Sequence, residues 1–298
     1  GGHSARSAGS LWPVPAGLIY RAMHRLRQFL FALGFALLAS GAPAQPAGPP
    51  GGVDVGKPSA LRHLVPAERL EQAAAQQYTA LLRQAAAKGA LARDDHPQLV
   101  RLRAIGKRVT ANAARFNPAA AQWRWEVNLI GSNQVNAFCM PGGKIAFFTG
   151  IIERLRLTDD EIAAVMGHEV AHALREHARE RVAKSELTRL GVVIAALIAG
   201  DPRYADAFNL GGALLTLKFS PDDETEADAI GLELAARAGF DPRAGVTLWK
   251  KMGAASKGSP PQWLSTHPTG GNRIREIERR LPEVLPLYEQ RAQESIPR

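Results

Sequence analysis

One cysteine, Cys139, stands in 298 residues, so the chain closes no internal disulfide and must rely on its core. A lone Cys in a chain with eight His gives no specific Cys–His nucleophile, and Cys139 reads as a small strand residue. Aromatic residues are scarce at 6%, and no basic–aromatic patch appears. The net charge is +9, and it falls to +5 once the four arginines of residues 1–44 are set aside. That balance gives no case for nucleic acid and is compatible with at most peripheral contact at an anionic membrane surface. The apolar run Leu190 to Ala199 is too short to span a bilayer. It reads as a buried helix segment in preference to a membrane-facing patch, and Ala205 to Phe219 reads as a further apolar helix. No repeat period is visible.

What is present begins with a targeting pattern. Residues 1–22 have loop-like composition and read as an upstream or non-native segment outside the fold. From Met23 the pattern is that of a secretory signal peptide, residues 23–44. His24, Arg25 and Arg27 supply the basic part, Phe29 to Ala39 the short apolar part, and Ala42-Pro43-Ala44 the cleavage signal. No cysteine follows for a lipid anchor. The expected location is the periplasm. Residues 45–60 are rich in Pro and Gly and read as a tether, and residues 61–298 as the domain.

The most informative stretch is His168-Glu169-Val170-Ala171-His172. It reads H-E-x-x-H, a zinc-hydrolase signature. On an α-helix, residues four apart lie one above the other, so two imidazoles can face one metal ion. Glu169 sits beside that face, within reach of a water held by the metal, and zinc lowers the pKa of such a water to about 7. The helix itself is signalled. Thr158-Asp159-Asp160-Glu161 forms a capping box, and Ile162, Val165, Met166, Val170 and Leu174 continue at helical spacing. The longer metzincin signature is absent, because Arg175 and Ala178 stand where its Gly and third His belong. His177 lies about 140° around the helix from His172 and reads as part of a solvated face.

Around this helix, Pro66 to Lys88 and Pro97 to Arg115 read as amphipathic scaffold helices. Trp123 to Leu129 alternates as a strand, and Gln134 to Phe138 and Lys144 to Thr149 read as two extended segments around the turn Pro141-Gly142-Gly143. The strand just before the H-E-x-x-H helix is a candidate sheet edge, to which an extended peptide could add; a plain structural hairpin is the equal alternative.

A catalytic zinc usually has three protein ligands plus water. Ala227, Ile230, Gly231, Leu234 and Ala238 mark the inward face of a helix ending near Gly239. Glu224 and Asp228 fall on that face, while Glu226 points the other way with Glu233 and Arg237 as solvated side chains. Glu224 is therefore the expected third ligand. Asp228 is placed to accept the free ring N–H of a ligating His and fix its tautomer.

These segments together resemble the gluzincin metallopeptidases of the HtpX and CAAX-prenyl-protease type, and are most similar to their soluble, secreted bacterial branch. The resemblance rests on H-E-V-A-H followed by E-T-E-A-D, on Val135-Asn136-Ala137-Phe138 with Pro141-Gly142-Gly143, on Ala238 to Pro242, on Trp249 to Met252 and on Leu264 to Pro268. It covers about residues 65 to 285. One departure is Pro221, which follows Ser220 where the family often has Arg.

The resemblance implies an α+β fold: a mostly helical domain with a small sheet whose edge strand lies beside the H-E-x-x-H helix. It implies one Zn2+ per chain held by His168, His172 and Glu224, with Glu169 as general base and Asp228 in support. Asn136, Ala137 and Phe138 are the candidate substrate strand. In relatives the His-Pro segment lies near the active site, which makes His267 a candidate for catalysis or for closing the zinc. Arg273 reads equally as an oxyanion stabiliser or a surface residue.

The implied activity is endopeptidase cleavage of unfolded or misfolded cell-envelope proteins, in protein quality control. Envelope assembly machinery is a candidate partner. The rival is a chaperone-like binding protein whose zinc site is plugged by His267.

Overall fold

The computed structural model describes residues 51–185, 187, 218–256, 261–268 and 272–294. The signal peptide expected over residues 23–44, the apolar run 190–199 and most of the helix expected over 205–219 lie outside the described residues.

The alternating segments after Trp123 form a three-stranded sheet of β1 (Glu126–Ile130), β2 (Ala137–Met140) and β3 (Lys144–Phe148). Its order is β1–β3–β2, with β1 parallel and β2 antiparallel to β3. The strand just before the H-E-x-x-H helix, β3, is therefore central and not an edge. The reason is the tight turn at Gly142 and Gly143, whose φ values of +78° and +79° suit glycine. It folds β3 back onto β2 and leaves the other side of β3 for β1. The edge that lies against the H-E-x-x-H helix is β2. Each strand is shifted from its sequence-based bounds: β1 starts at Glu126, after Trp123 and Trp125 have packed their rings 5.4 Å apart, and Asn136 precedes β2.

Helix α1 (Ala67–Ala87) buries Leu70, Ala74, Tyr78 and Ala85, and the Tyr78 hydroxyl donates to the Ile145 carbonyl of β3 at 2.5 Å. Helix α2 (Pro97–Thr110) turns Leu99, Leu102, Ile105 and Val109 inward. It stops short of Arg115, because Asn112 leaves the helical region (φ −101°, ψ 4°) and a 3-10 turn, Ala113–Arg115, follows.

After α3 (Thr149–Leu155), helix α4 (Asp159–Leu174) carries the H-E-x-x-H sequence. Its capping box forms as expected: the Thr158 hydroxyl accepts from Glu161 N–H at 3.3 Å, and Glu161 accepts from Thr158 N–H at 2.9 Å. Every residue from Glu161 to Leu174 is buried, so α4 is a central helix surrounded by other elements.

Helix α5 (Pro221–Arg237) starts at Ser220, which forms a second capping box with Asp223, with Pro221 in the first turn. Helices α6 (Ala244–Ala255), α7 (Trp263–Thr266) and α8 (Arg273–Glu294) follow. Among the described residues, no helix is long and apolar enough to cross a membrane.

Helices α4 and α5 touch through glycine. A Cβ on Gly167 would lie 2.6 Å from the Gly231 carbonyl oxygen, and one on Gly231 would lie 2.7 Å from the His168 nitrogen. Neither contact can be relieved by rotating a side chain. Gly231→Ala is expected to cost about 3 kcal/mol, the upper end of ordinary overpacking, read as a lower urea midpoint. Wild-type stability in this variant would show that the helices separate easily.

The Pro/Gly-rich stretch, from Gly51 onward, lies along the domain. Val53 N–H donates to Glu233 at 2.7 Å, Arg115 and Arg237 each donate to the Gly51 carbonyl at 3.0 Å, and Arg175 donates to the Gly56 carbonyl at 3.1 Å. Glu233, expected on a solvated face, has a fully buried carboxylate paired with Arg115 and Arg237, each at 2.7 Å.

Candidate metal centre

Because α4 is a regular helix, His168 and His172 stack one turn apart, and their Nε2 atoms come within 3.0 Å. Glu224, in the first turn of α5, places Oε2 3.6 Å from His168 Nε2 and Oε1 3.5 Å from His172 Nε2. The end of α7 brings His267 to the same spot. One donor atom from each of these four buried residues falls within a 4.8 Å cluster.

The donor set fits a metal ion. Glu224 Oε1 and His267 Nε2 are buried without a hydrogen-bond partner, both inside the cluster. Tetrahedral bonds of 2.0–2.1 Å give ligand–ligand edges of about 3.3 Å, near the spacings His168, His172 and Glu224 already hold.

Electrostatics point the same way. Burial pushes the pKa of His168 down and those of His172 and His267 well down, which keeps the imidazoles neutral with lone pairs to offer. Burial raises Glu224 to about 8 against the pull of Arg273, so its carboxylate needs a further positive charge beside Arg273 in order to ionise fully near neutrality. Burial alone would raise Asp228 too, but Arg273 and His168 overcome it and hold Asp228 down at about 2. An ionised Asp228 can only accept, so His168 Nδ1–H donates to its Oδ1 at 3.0 Å and leaves Nε2 bare.

Arg273 is neither a surface residue nor aimed at open space. Its guanidinium lies 3.7 Å over the Trp249 ring, donates to Asp228 at 2.7 and 2.8 Å, and pairs with Glu224. It orients both carboxylates of the stripe.

Glu169 is 2% exposed, and burial raises its pKa well above the usual range. The Trp263 indole N–H donates to it at 2.5 Å, and the Cys139 backbone N–H works in the same direction. His267 Nε2 stands 3.6 Å away. Trp263 is fully buried and stacks on His267, with ring centres 4.8 Å apart. Nothing in the local sequence marked it as a partner of Glu169.

Along β2, the Asn136 carbonyl accepts from Phe148 N–H at 3.1 Å and so faces β3. Backbone groups alternate in direction along a strand. Ala137 and Cys139 therefore turn theirs away from β3, toward α4, where Ala137 is 1% exposed. The Phe138 ring packs with Tyr78 and Phe148 instead. Of Asn136, Ala137 and Phe138, it is Ala137 that offers backbone groups at the edge.

His177 and Glu226, both expected in solvent, belong to the site. His177 is 2% exposed; its Nδ1 meets His172 Nδ1 at 2.9 Å, its Nε2 meets Glu226 at 2.7 Å, and Glu226 pairs with Arg175. The 140° separation assumed an unbroken helix. Instead α4 ends at Leu174, and Glu176 takes a left-handed φ of 56°. The chain swings back and brings His177 to His172. Neither Gly nor Pro announces the break.

Two helical His, a Glu from a second buried helix and a carboxylate beside the first His define a metallopeptidase of the H-E-x-x-H type. A family model described as Peptidase family M48 matches residues 98–281, and the chain belongs to that family. The chain is 38% identical over 191 residues to the mitochondrial metalloendopeptidase OMA1 of Schizosaccharomyces pombe, a match covering 63% of this chain and 55% of that protein. It is 35% identical to the human mitochondrial metalloendopeptidase OMA1, over 58% of this chain and 35% of that one. It is 28% identical to the beta-barrel assembly-enhancing protease of Escherichia coli, over 56% of this chain and 36% of that one. The chain thus spans about half or less of the length of these relatives.

Proposed function

We propose that this protein is a zinc-dependent endopeptidase that cleaves unfolded or misfolded proteins of the cell envelope, in the soluble bacterial branch of the family. His168, His172 and Glu224 hold one Zn2+. When bound, the ion supplies Lewis-acid polarisation of the scissile carbonyl and of the attacking water. Glu169 takes the proton from that water and delivers it to the leaving amine. Asp228, with Arg273 behind it, holds His168 in the tautomer that points Nε2 at the metal. The edge of β2 around Ala137, beside the H-E-x-x-H helix, is the place for an extended segment of substrate, which suits unfolded chains.

The observation that carries this reading is the cluster of four buried donor atoms with Glu169 next to it. The signal-peptide pattern of residues 23–44 supports the periplasm, and the named relatives support proteolysis. Envelope assembly machinery is the candidate partner, on the strength of the E. coli relative's name. The direct test is casein cleavage by the purified protein with zinc content measured on the same sample. About one zinc per chain with cleavage supports the reading, and a metal-free protein that cleaves at full rate overturns it.

A second reading has a specific observation behind it. His267 Nε2 lies in the donor cluster, and the whole site is buried. Four protein ligands make a closed zinc site. A resting protein of this kind binds clients and seldom cuts them. We expect His267→Ala to raise casein cleavage several-fold by opening the fourth position. A fall in cleavage would instead assign His267 to the reaction.

A further inference from the structure

The two His of the H-E-x-x-H sequence are held from behind in different ways. His168 has a carboxylate directly on its Nδ1. His172 has another imidazole. We infer that His177 is a positioning residue for His172, and that Glu226 and Arg175 hold His177 in that role. The inference rests on the proposed metal site.

The proposed metal site fixes the protons. A ligating His172 presents a bare Nε2, so its Nδ1 carries the hydrogen. His172 Nδ1–H then donates to His177 Nδ1 across the 2.9 Å contact. His177 donates in turn from Nε2 to Glu226, 2.7 Å away, whose other oxygen pairs with Arg175. So held, His172 keeps Nε2 directed at the cluster with His168 Nε2 and Glu224. Asp228 sets His168 in the same tautomer by one step instead of two.

The two supports share a design. Both carboxylates come from α5, two residues apart, and each is matched by its own arginine: Asp228 by Arg273, Glu226 by Arg175. Asp223 stands 3.9 Å from His177 Nε2 and adds to the negative side. Arg175 also donates to the Gly56 carbonyl, so the second chain ends on the N-terminal stretch that lies along the domain. Phe219 stacks on the His172 ring at 3.8 Å between centres and holds its plane, while His177 sets its rotation and proton.

The test compares His177→Leu with His177→Asn in the full-length protein. Asn places an amide oxygen near the position of Nδ1 and can accept from His172; Leu cannot. Zinc affinity is read by competition with a chromogenic chelator, and ligand geometry by the visible spectrum of the Co2+-substituted protein. Loss of a partner behind a ligating His typically costs about 10–100-fold in metal affinity. We expect that loss and an altered Co2+ spectrum in His177→Leu, and recovery of most of both in His177→Asn. Equal zinc affinity in wild type and His177→Leu overturns the inference. So does a His177→Asn variant no better than Leu, because the role is then packing alone.

Should His177→Leu fail to fold, Glu226→Gln removes only a charge at the outer end of the chain. It is expected to weaken zinc binding by about three- to tenfold, and unchanged affinity overturns the inference. A wild-type protein that binds no zinc overturns both this inference and the metal-site reading. Unchanged affinity in the variants of a zinc-binding protein overturns this one alone.

Discussion

Glu169→Gln is expected to lower peptide cleavage by about 10²–10⁴-fold, the usual contribution of a positioned general base, while the protein still binds one zinc. The structure makes this substitution unusually clean. Gln keeps the length of Glu169, and its amide oxygen can still accept the Trp263 indole N–H that reaches Glu169 at 2.5 Å. His168, His172 and Glu224 are untouched, so the donor cluster persists. The carboxylate lies 2% exposed at the edge of β2, and the carboxylate that acts on it is that of the expected ligand Glu224. Casein cleavage and zinc content measured on the same preparation decide the matter. Full cleavage by the variant would remove Glu169 from the reaction, and loss of zinc would make it a structural part of the site.

Arg273→Ala should have the largest effect on stability. Its guanidinium serves Asp228 through two hydrogen bonds of 2.7 and 2.8 Å and pairs with Glu224, all in a buried environment. Removing one partner of a buried ion pair leaves an uncompensated charge, at a cost of about 3–5 kcal/mol. Asp228, held ionised at about 2, bears that cost, and Glu224 bears it to the extent that it is ionised. The loss should be largest in the presence of a chelator and smaller with zinc, since the ion supplies positive charge to Glu224 when the arginine does not. Arg273→Lys should recover only part, because an ammonium cannot fork toward two carboxylates as a guanidinium does. Urea unfolding of the three proteins with and without zinc checks this. Equal stabilities would show that the two carboxylates take up protons at no cost.

The sequence made the centre of the site legible because its information is local. A capping box, a helical apolar stripe and two His four apart are all written within Thr158 to Leu174. Glu224 and Asp228 were visible for the same reason, as acids on the apolar stripe of a second helix. What was misread depends on partners far along the chain. Glu226 and Glu233 look solvated on a helical wheel, because a wheel cannot show that Arg175, Arg115 and Arg237 arrive to neutralise them. His177 was placed by extending a helix through Glu176, whose left-handed backbone has no glycine to announce it. The order β1–β3–β2 is likewise absent from local periodicity, which finds strands but not their neighbours. Trp263 meets Glu169 across 94 residues of sequence, and no short motif encodes that.

The glycine contact between α4 and α5 has a consequence for heating. The expected ligands sit on two helices whose backbones meet at Gly167 and Gly231, and every residue from Glu161 to Leu174 is buried. A binding site on a surface loop can fray and release its ion while the rest of the molecule stays folded. Here the ligands have no such local exit. On warming, release of the ion and collapse of the fold should be one cooperative event, with a midpoint that climbs as free zinc is raised.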